Sequence, residues 1–304
     1  VYPDEYQAFL SNLSPINLDI GSILSYSCVV DTNFYHHLLL TTTMPLVVFA
    51  VMAGTYEIAM KKNGTCELAL RSVRHKHLSA ALFVMFFVYS SVSFTVFQTF
   101  ACDPLDDDVE YLRADYSLTC WSDQHVAYVT YASVMVFVYP IGIPAVFTWW
   151  LVRNRHDLTK PGRGTVDRLQ PFSGLWVAYR PSRFYYEVVE CGRRIALTGI
   201  AVFVFPGSAA QIAVVLLLAV VFSFISESMQ PFEKNVEMWL YRWGNGVVLA
   251  SMYVALLRKV DVSGDDSATQ SAFAGVLIAA NVFMIVAVLV QSTLFVKEWH
   301  ASKK

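Results

Sequence analysis

The stretch QSAFAGVLIAANVFMIVAVLVQSTLFV at residues 270–296 holds no Asp, Glu, Lys or Arg. It is longer than the roughly 20 apolar residues that a helix needs to cross the hydrocarbon core of a bilayer. Comparable runs recur at 38–60, 79–101, 125–152, 186–205, 208–228 and 238–258. The expected fold is therefore all-α, a polytopic transmembrane helical bundle of about seven spans. Composition agrees: of 304 residues, 56% are hydrophobic and only 15% charged, against roughly 25% charged in a soluble domain. With 22 Lys and Arg against 24 Asp and Glu, the net charge of −2 leaves no basic surface for a phosphate backbone, which argues against nucleic acid as a partner.

Residues 1–35 stand apart, with Asp4, Glu5, Asp19 and Asp31 among aromatics and leucines and with Pro3 and Pro15. They read as an extracellular, interfacial amphipathic segment, and 36–304 as the transmembrane domain. Starting at Val1 without a basic and then apolar leader, the chain reads as a fragment or processed product. Orientation follows from the bias of Lys and Arg toward the cytoplasmic side. With the amino-terminus outside and the carboxy-terminus inside, only Arg113, Arg258 and Lys259 of the 22 basic residues fall outside. The inner loop 153–183 is basic, through Arg155, Lys160, Arg163 and Arg168, and is expected to meet anionic headgroups.

Cys28, Cys102 and Cys120 fall on the oxidising side, and Cys66 and Cys191 on the reducing side. Cys102 and Cys120 bracket the outer loop 102–124, and a bridge between them would tie two span ends together; pairing of Cys28 with either is the alternative. The Asn12 sequon lies outside and the Asn63 sequon inside, so a glycan on Asn63 would invert the topology. The acidic run Asp103, Asp106, Asp107, Asp108 and Glu110 would raise local cation concentration, although it lacks the spacing of a calcium loop.

The chain has no HExxH, GxSxG or GxxxxGK[ST], and no span carries a mid-membrane histidine, so a non-enzymatic protein is expected, with no metal and no cofactor beyond bound lipids. A metal at His36, His37 and Asp31 is the weak exception. Ionisable residues in spans are costly and informative. Glu187, Glu190, Arg193 and Arg194 are spaced for ion pairing on one helix face, and Arg242 joins them as a candidate inner gate or headgroup cluster. Pro140, Gly142 and Pro144 interrupt the third span and form a candidate hinge. A polar path would bring Gln211, Asn245, Asn281 and Gln291 to one cavity, whereas a receptor would build an outer pocket on Tyr128, Tyr131 and Tyr253.

Four blocks in one order carry a resemblance: NLDIGSILSYSCVVDTNFYHHLLLTTTMPL at 17–46, FQTFACDPLDDDVEYLRADYSLTCWSDQH at 97–125 with VYPIGIP at 138–144, AYRPSRFYYEVVECGRRIALTGIAVFVFPGSAAQ at 178–211, and LLRKVDVSGDD at 256–266. Together they resemble the transient-receptor-potential-like membrane module of large cysteine-rich surface proteins of algae and water moulds. The resemblance implies a carboxy-terminal membrane region following extracellular repeats, with a further helix preceding Tyr2, in a plasma or ciliary/flagellar membrane. It also implies a cation conductance. Against that, the connection 259–269 between the last two spans is too short for both a pore helix and a filter. The expected function is accordingly an anchor for a large extracellular region, with sensing or transduction at the cell surface. A transient-receptor-potential-like cation channel is the alternative and a seven-span ligand receptor the further one. Expected partners are membrane lipids, an extracellular region of the same or another protein, and a second copy of the chain.

Overall fold

The computed structural model describes residues 4–13, 33–62, 66–105, 109–160, 162–204, 208–260 and 267–302. Cys28, Asp31, the Asn63 sequon and Asp106, Asp107 and Asp108 lie outside them. The chain is mostly helical and divides into two compact units, residues 15–206 and residues 207–304 together with 1–14.

In the larger unit, α2 (Phe34–Lys62) and α3 (Glu67–Gln98) form a hairpin of long helices. Asn33 starts α2 by accepting the His36 N–H on its side-chain oxygen at 3.2 Å, an ordinary N-cap. Beyond α3 lies an antiparallel sheet of β1 (Cys102–Pro104), β2 (Glu110–Leu112) and β3 (Asp115–Thr119), in the order β1-β2-β3. Cys102 faces Leu112, Pro104 faces Glu110, and a register shift falls at Tyr111 and Leu112. The chain returns through α4 (Asp123–Val136) and α5 (Gly142–Arg153), with one π turn at Phe137–Ile141 between them. Pro140 has no N–H to give the ladder, and the wider turn absorbs the missing bond. A Cβ on Gly142 would lie 2.8 Å from the Phe137 carbonyl oxygen, so the turn needs glycine there.

A one-turn helix, α6 (Arg155–Leu158), and 3-10 turns at Arg163–Thr165, Asp167–Leu175 and Pro181–Arg183 then lead to α7 (Tyr186–Arg194). The segment expected to span at 186–205 is not one continuous helix: α7 passes into a π turn at Ile195–Gly199 and a 3-10 turn at Ile200–Phe203. The break falls at a tertiary contact: Gly199 presses on α3 so closely that a Cβ would stand 2.4 Å from the Phe97 ring. Tyr35, Leu38, Tyr89, Tyr139, Phe147 and Leu175 are among the fully buried side chains of this unit.

The smaller unit consists of α1 (Asp4–Leu13), α8 (Ala209–Met229), α9 (Asn235–Lys259) and α10 (Ser267–Ser302). Ser208 caps α8 by accepting the Gln211 N–H, and Gln230 ends it in a left-handed conformation. Helix α9 packs between its neighbours, with Trp243 against Phe283 and Gly244 against Met284 on α10. Its buried centre is small: Tyr6, Val254, Ala274 and Leu277.

Among the described residues, five helices are long and apolar enough to cross a membrane: Phe34–Lys62, Glu67–Gln98, Asp123–Arg153, Ala209–Met229 and Phe273–Thr293. Of the seven runs marked in the sequence, 186–205 falls short in regularity. Helix α9 has the length, but Arg242, Asn245 and two glycines dilute its apolar run. Large apolar side chains point outward along the five helices, including Phe83, Phe137, Trp149, Phe224 and Val276. A surface so apolar belongs in lipid.

Candidate functional site

Two polar assemblies organise the larger unit. The first is a cap built on the sheet, where a disulfide joins Cys102 and Cys120 with their Cα atoms 6.4 Å apart. Arg113, in the turn between β2 and β3, donates to both oxygens of Asp103 and to the Val202 carbonyl at 3.4 Å. The Tyr116 hydroxyl donates to Asp103 as well, at 3.0 Å. The Arg113 guanidinium thereby holds the Asp103 carboxyl below the usual carboxylate range. Asp115 accepts the backbone N–H of Phe34 at 3.1 Å, so the sheet caps the first turn of α2 across 81 residues of sequence.

His125 completes the cap. Its Nδ1 accepts the Trp121 N–H at 3.1 Å and its Nε2 lies 3.1 Å from the Thr99 carbonyl, so the ring bridges the end of α3 and the start of α4. Trp121 sits at a left-handed φ of 63°; its two N–H groups, on His125 and on the Glu110 carboxylate, stabilise a conformation that costs of order 1 kcal/mol. Cys102, Cys120 and His125 are close enough to resemble a metal triad, but the sulfurs are bonded to each other and supply no thiolate. Asp103 and Glu110, expected to attract cations, are instead engaged by Arg113, Tyr116 and Trp121.

The second assembly is a buried ion cluster on α7. Glu187 and Glu190 are each only 6% exposed. Arg193 donates to both Glu190 oxygens, its Nε at 3.0 Å from each, and Arg194 approaches to 3.8 Å. The Tyr179 hydroxyl donates to Glu187 at 2.7 Å. Burial first, and then the charge of Glu187, push the Tyr179 phenol far above its ordinary value and keep it a donor. Arg163 donates to the Tyr179 carbonyl and lies over the Trp176 ring, 4.9 Å from its centroid. Two carboxylates and two guanidiniums leave this cluster formally neutral. Close by, Tyr89 of α3 donates to the Cys191 carbonyl at 3.2 Å.

Arg242 makes a two-pronged pair with Glu227 of α8 at 2.6 and 2.8 Å. Asn281 bonds the Tyr6 hydroxyl at 3.1 Å, which itself lies 3.4 Å from the Ser251 Oγ. Gln211 sits at the start of α8, Asn245 within α9 and Gln291 toward the far end of α10. A cavity of that unit is lined by Trp239, Arg242, Trp243, Gly246, Val247, Ala250 and Ala280, and by none of the four residues of the expected polar path. Tyr128 and Tyr131 are committed to packing: Tyr128 stacks on Tyr35 at 4.1 Å and Tyr131 bonds Thr42 at 2.6 Å. Tyr253 is on α9, in the other unit.

Sequence reasoning missed Arg113, Asp115, His125 and Tyr179. Only the Arg in an otherwise acidic loop was a visible signal. Compared with family models, curated proteins and solved structures, the chain finds no match. The class that fold and surface define is a helical membrane protein.

Proposed function

We propose that the chain is a non-enzymatic membrane module with seven crossings, amino-terminus outside and carboxy-terminus inside, that anchors an extracellular region and couples it to the cell interior. The observation that carries this reading is the cap: one disulfide and a set of charge-assisted bonds tie the ends of α2, α3 and α4 and the carbonyl of Val202 into one rigid platform. A platform of this kind spreads a pull on the outer side over several helices.

The two extra crossings draw support from packing. Helix α9 runs alongside α8 and α10, both apolar enough to span, and 191–203 runs along the outer half of α3 through Tyr89 and Phe97. Non-helical turns are tolerated at membrane depth where protein covers them. A plasma or ciliary/flagellar membrane, inner-leaflet anionic lipids and an upstream extracellular region complete the reading. The transient-receptor-potential-like channel and the ligand receptor draw less support: the cavity beside Trp239 and Trp243 is lined by none of the polar-path residues, and Tyr128 and Tyr131 are engaged by Tyr35 and Thr42.

A folded reporter fused ahead of Val1 tests the anchor. It should be reached by an impermeant protease on intact cells and should stay with membranes through an alkaline wash. A reporter protected until permeabilisation, or released by the wash, would contradict the reading.

A further inference from the structure

We infer that the cavity at the basic ends of α2, α3 and α5 binds a phosphomonoester group, presented by an anionic lipid headgroup or by a soluble phosphate. The inference rests on the reading of those helices as membrane spans. The cavity measures about 810 Å³, within the range of small-molecule sites. One wall is apolar, formed by Leu78, Trp150 and Phe172, the last two rings 4.4 Å apart. The rest of the lining carries Arg71, Arg74, His75 and Arg168, with Glu67 and Asp167 among them.

Charge pairing selects the sign of the ligand. Glu67 is answered by Arg71 at 2.7 Å, and Asp167 by His75 at 3.3 Å and by Arg71 at 3.9 Å. Arg168 is paired outside the cavity lining, with Asp157. Arg74 has no ion pair among the described residues. Both acids are therefore already compensated, and the group left over is a guanidinium. The pairs that hold Arg71 and Arg168 are exposed, so they exchange readily for a better anion. A dianionic phosphomonoester offers three acceptor oxygens, the number that suits several convergent guanidiniums. The order along α3 fits an amphiphile: Leu78 lies seven residues nearer the apolar stretch than Arg71, roughly 10 Å along the axis. A glycerol or acyl portion would lie against the aromatic wall while the phosphate meets the arginines.

The test uses the whole chain in phosphatidylcholine nanodiscs with and without phosphatidic acid, with native mass spectrometry counting retained phosphatidic acid. Arg71→Gln with Arg74→Gln should weaken retention about tenfold. Arg153→Gln, exposed at the same helix end but outside the cavity lining, should leave it unchanged. Equal retention by wild type and the double variant would overturn the inference, as would an equal loss in Arg153→Gln, which would mean diffuse attraction. Displacement by glycerol 3-phosphate would assign the site to a soluble phosphate, and persistence against it to the lipid headgroup. A chain that stays in solution without nanodiscs would overturn the membrane reading itself, a result distinguishable from an inserted chain that retains no phosphatidic acid.

Discussion

The unit at 15–206 and the unit at 207–304 with 1–14 reach order by different means. The former combines a broad buried core with a disulfide, a capped sheet and a paired ion cluster, so its helix ends are fixed to one another. The latter has a smaller buried centre around Tyr6, Val254, Ala274 and Leu277, joined by the hydrogen bonds of Tyr6 with Ser251 and Asn281, while Leu217, Phe224 and Val276 face outward. Lipid offers no hydrophobic drive for helices to associate, so packing of small residues and scarce polar bonds must do so. The difference teaches where each unit takes its stability: from internal cross-links in the one, and from the bilayer in the other.

Breaking the ion cluster should have the largest effect. Glu190→Ala removes the buried carboxylate with which Arg193 and Arg194 pair and should cost about 4 kcal/mol, read as thermal unfolding in nanodiscs. Cys102→Ser opens an 18-residue link and should cost about 3 kcal/mol; reducing the wild type should reproduce it, while the helix signal of 207–304 changes little. Gly199→Ala forces the Phe97 ring aside and should cost about 2 kcal/mol. In the smaller unit, Asn281→Val should cost only about 1 kcal/mol. A larger loss there than in Cys102→Ser would erase the contrast.

Acid sharpens the same contrast on a smaller scale. Because Arg113 depresses the Asp103 carboxyl, their pair stabilises the folded sheet at every pH above the unfolded carboxylate value of about 4. That contribution fades as pH falls through the lower folded value. The thermal midpoint of the wild type should therefore drop in acid, and Asp103→Asn should lose this part of the dependence.

The helical membrane class was legible in apolar run length alone, since a span needs only composition over a fixed length. The break at 195–203 was not, because it depends on Gly199 meeting Phe97, a contact about a hundred residues away in sequence that no local pattern carries. Glu190 with Arg193 and Arg194 was readable from helical spacing. Asp115 on Phe34 was not, for the same reason as Gly199, and Tyr179 on Glu187 was not because an irregular turn, not a helical spacing, brings them together. The pairing of Arg242 with Glu227 was not legible either, because the two lie on different helices. The interruption at Pro140 and Gly142 was legible, and the π turn is the form it takes.

Sidedness tests the account most directly. On a background of Cys28→Ser with Cys66→Ser, single cysteines at Leu105, Thr159, Gln230 and Val260 would be labelled on intact cells with an impermeant maleimide. The account predicts labelling at Leu105→Cys and Val260→Cys from outside, and at Thr159→Cys and Gln230→Cys only after permeabilisation. Val260→Cys and Gln230→Cys labelled from the same side would remove α9 as a crossing and contradict the seven-span module.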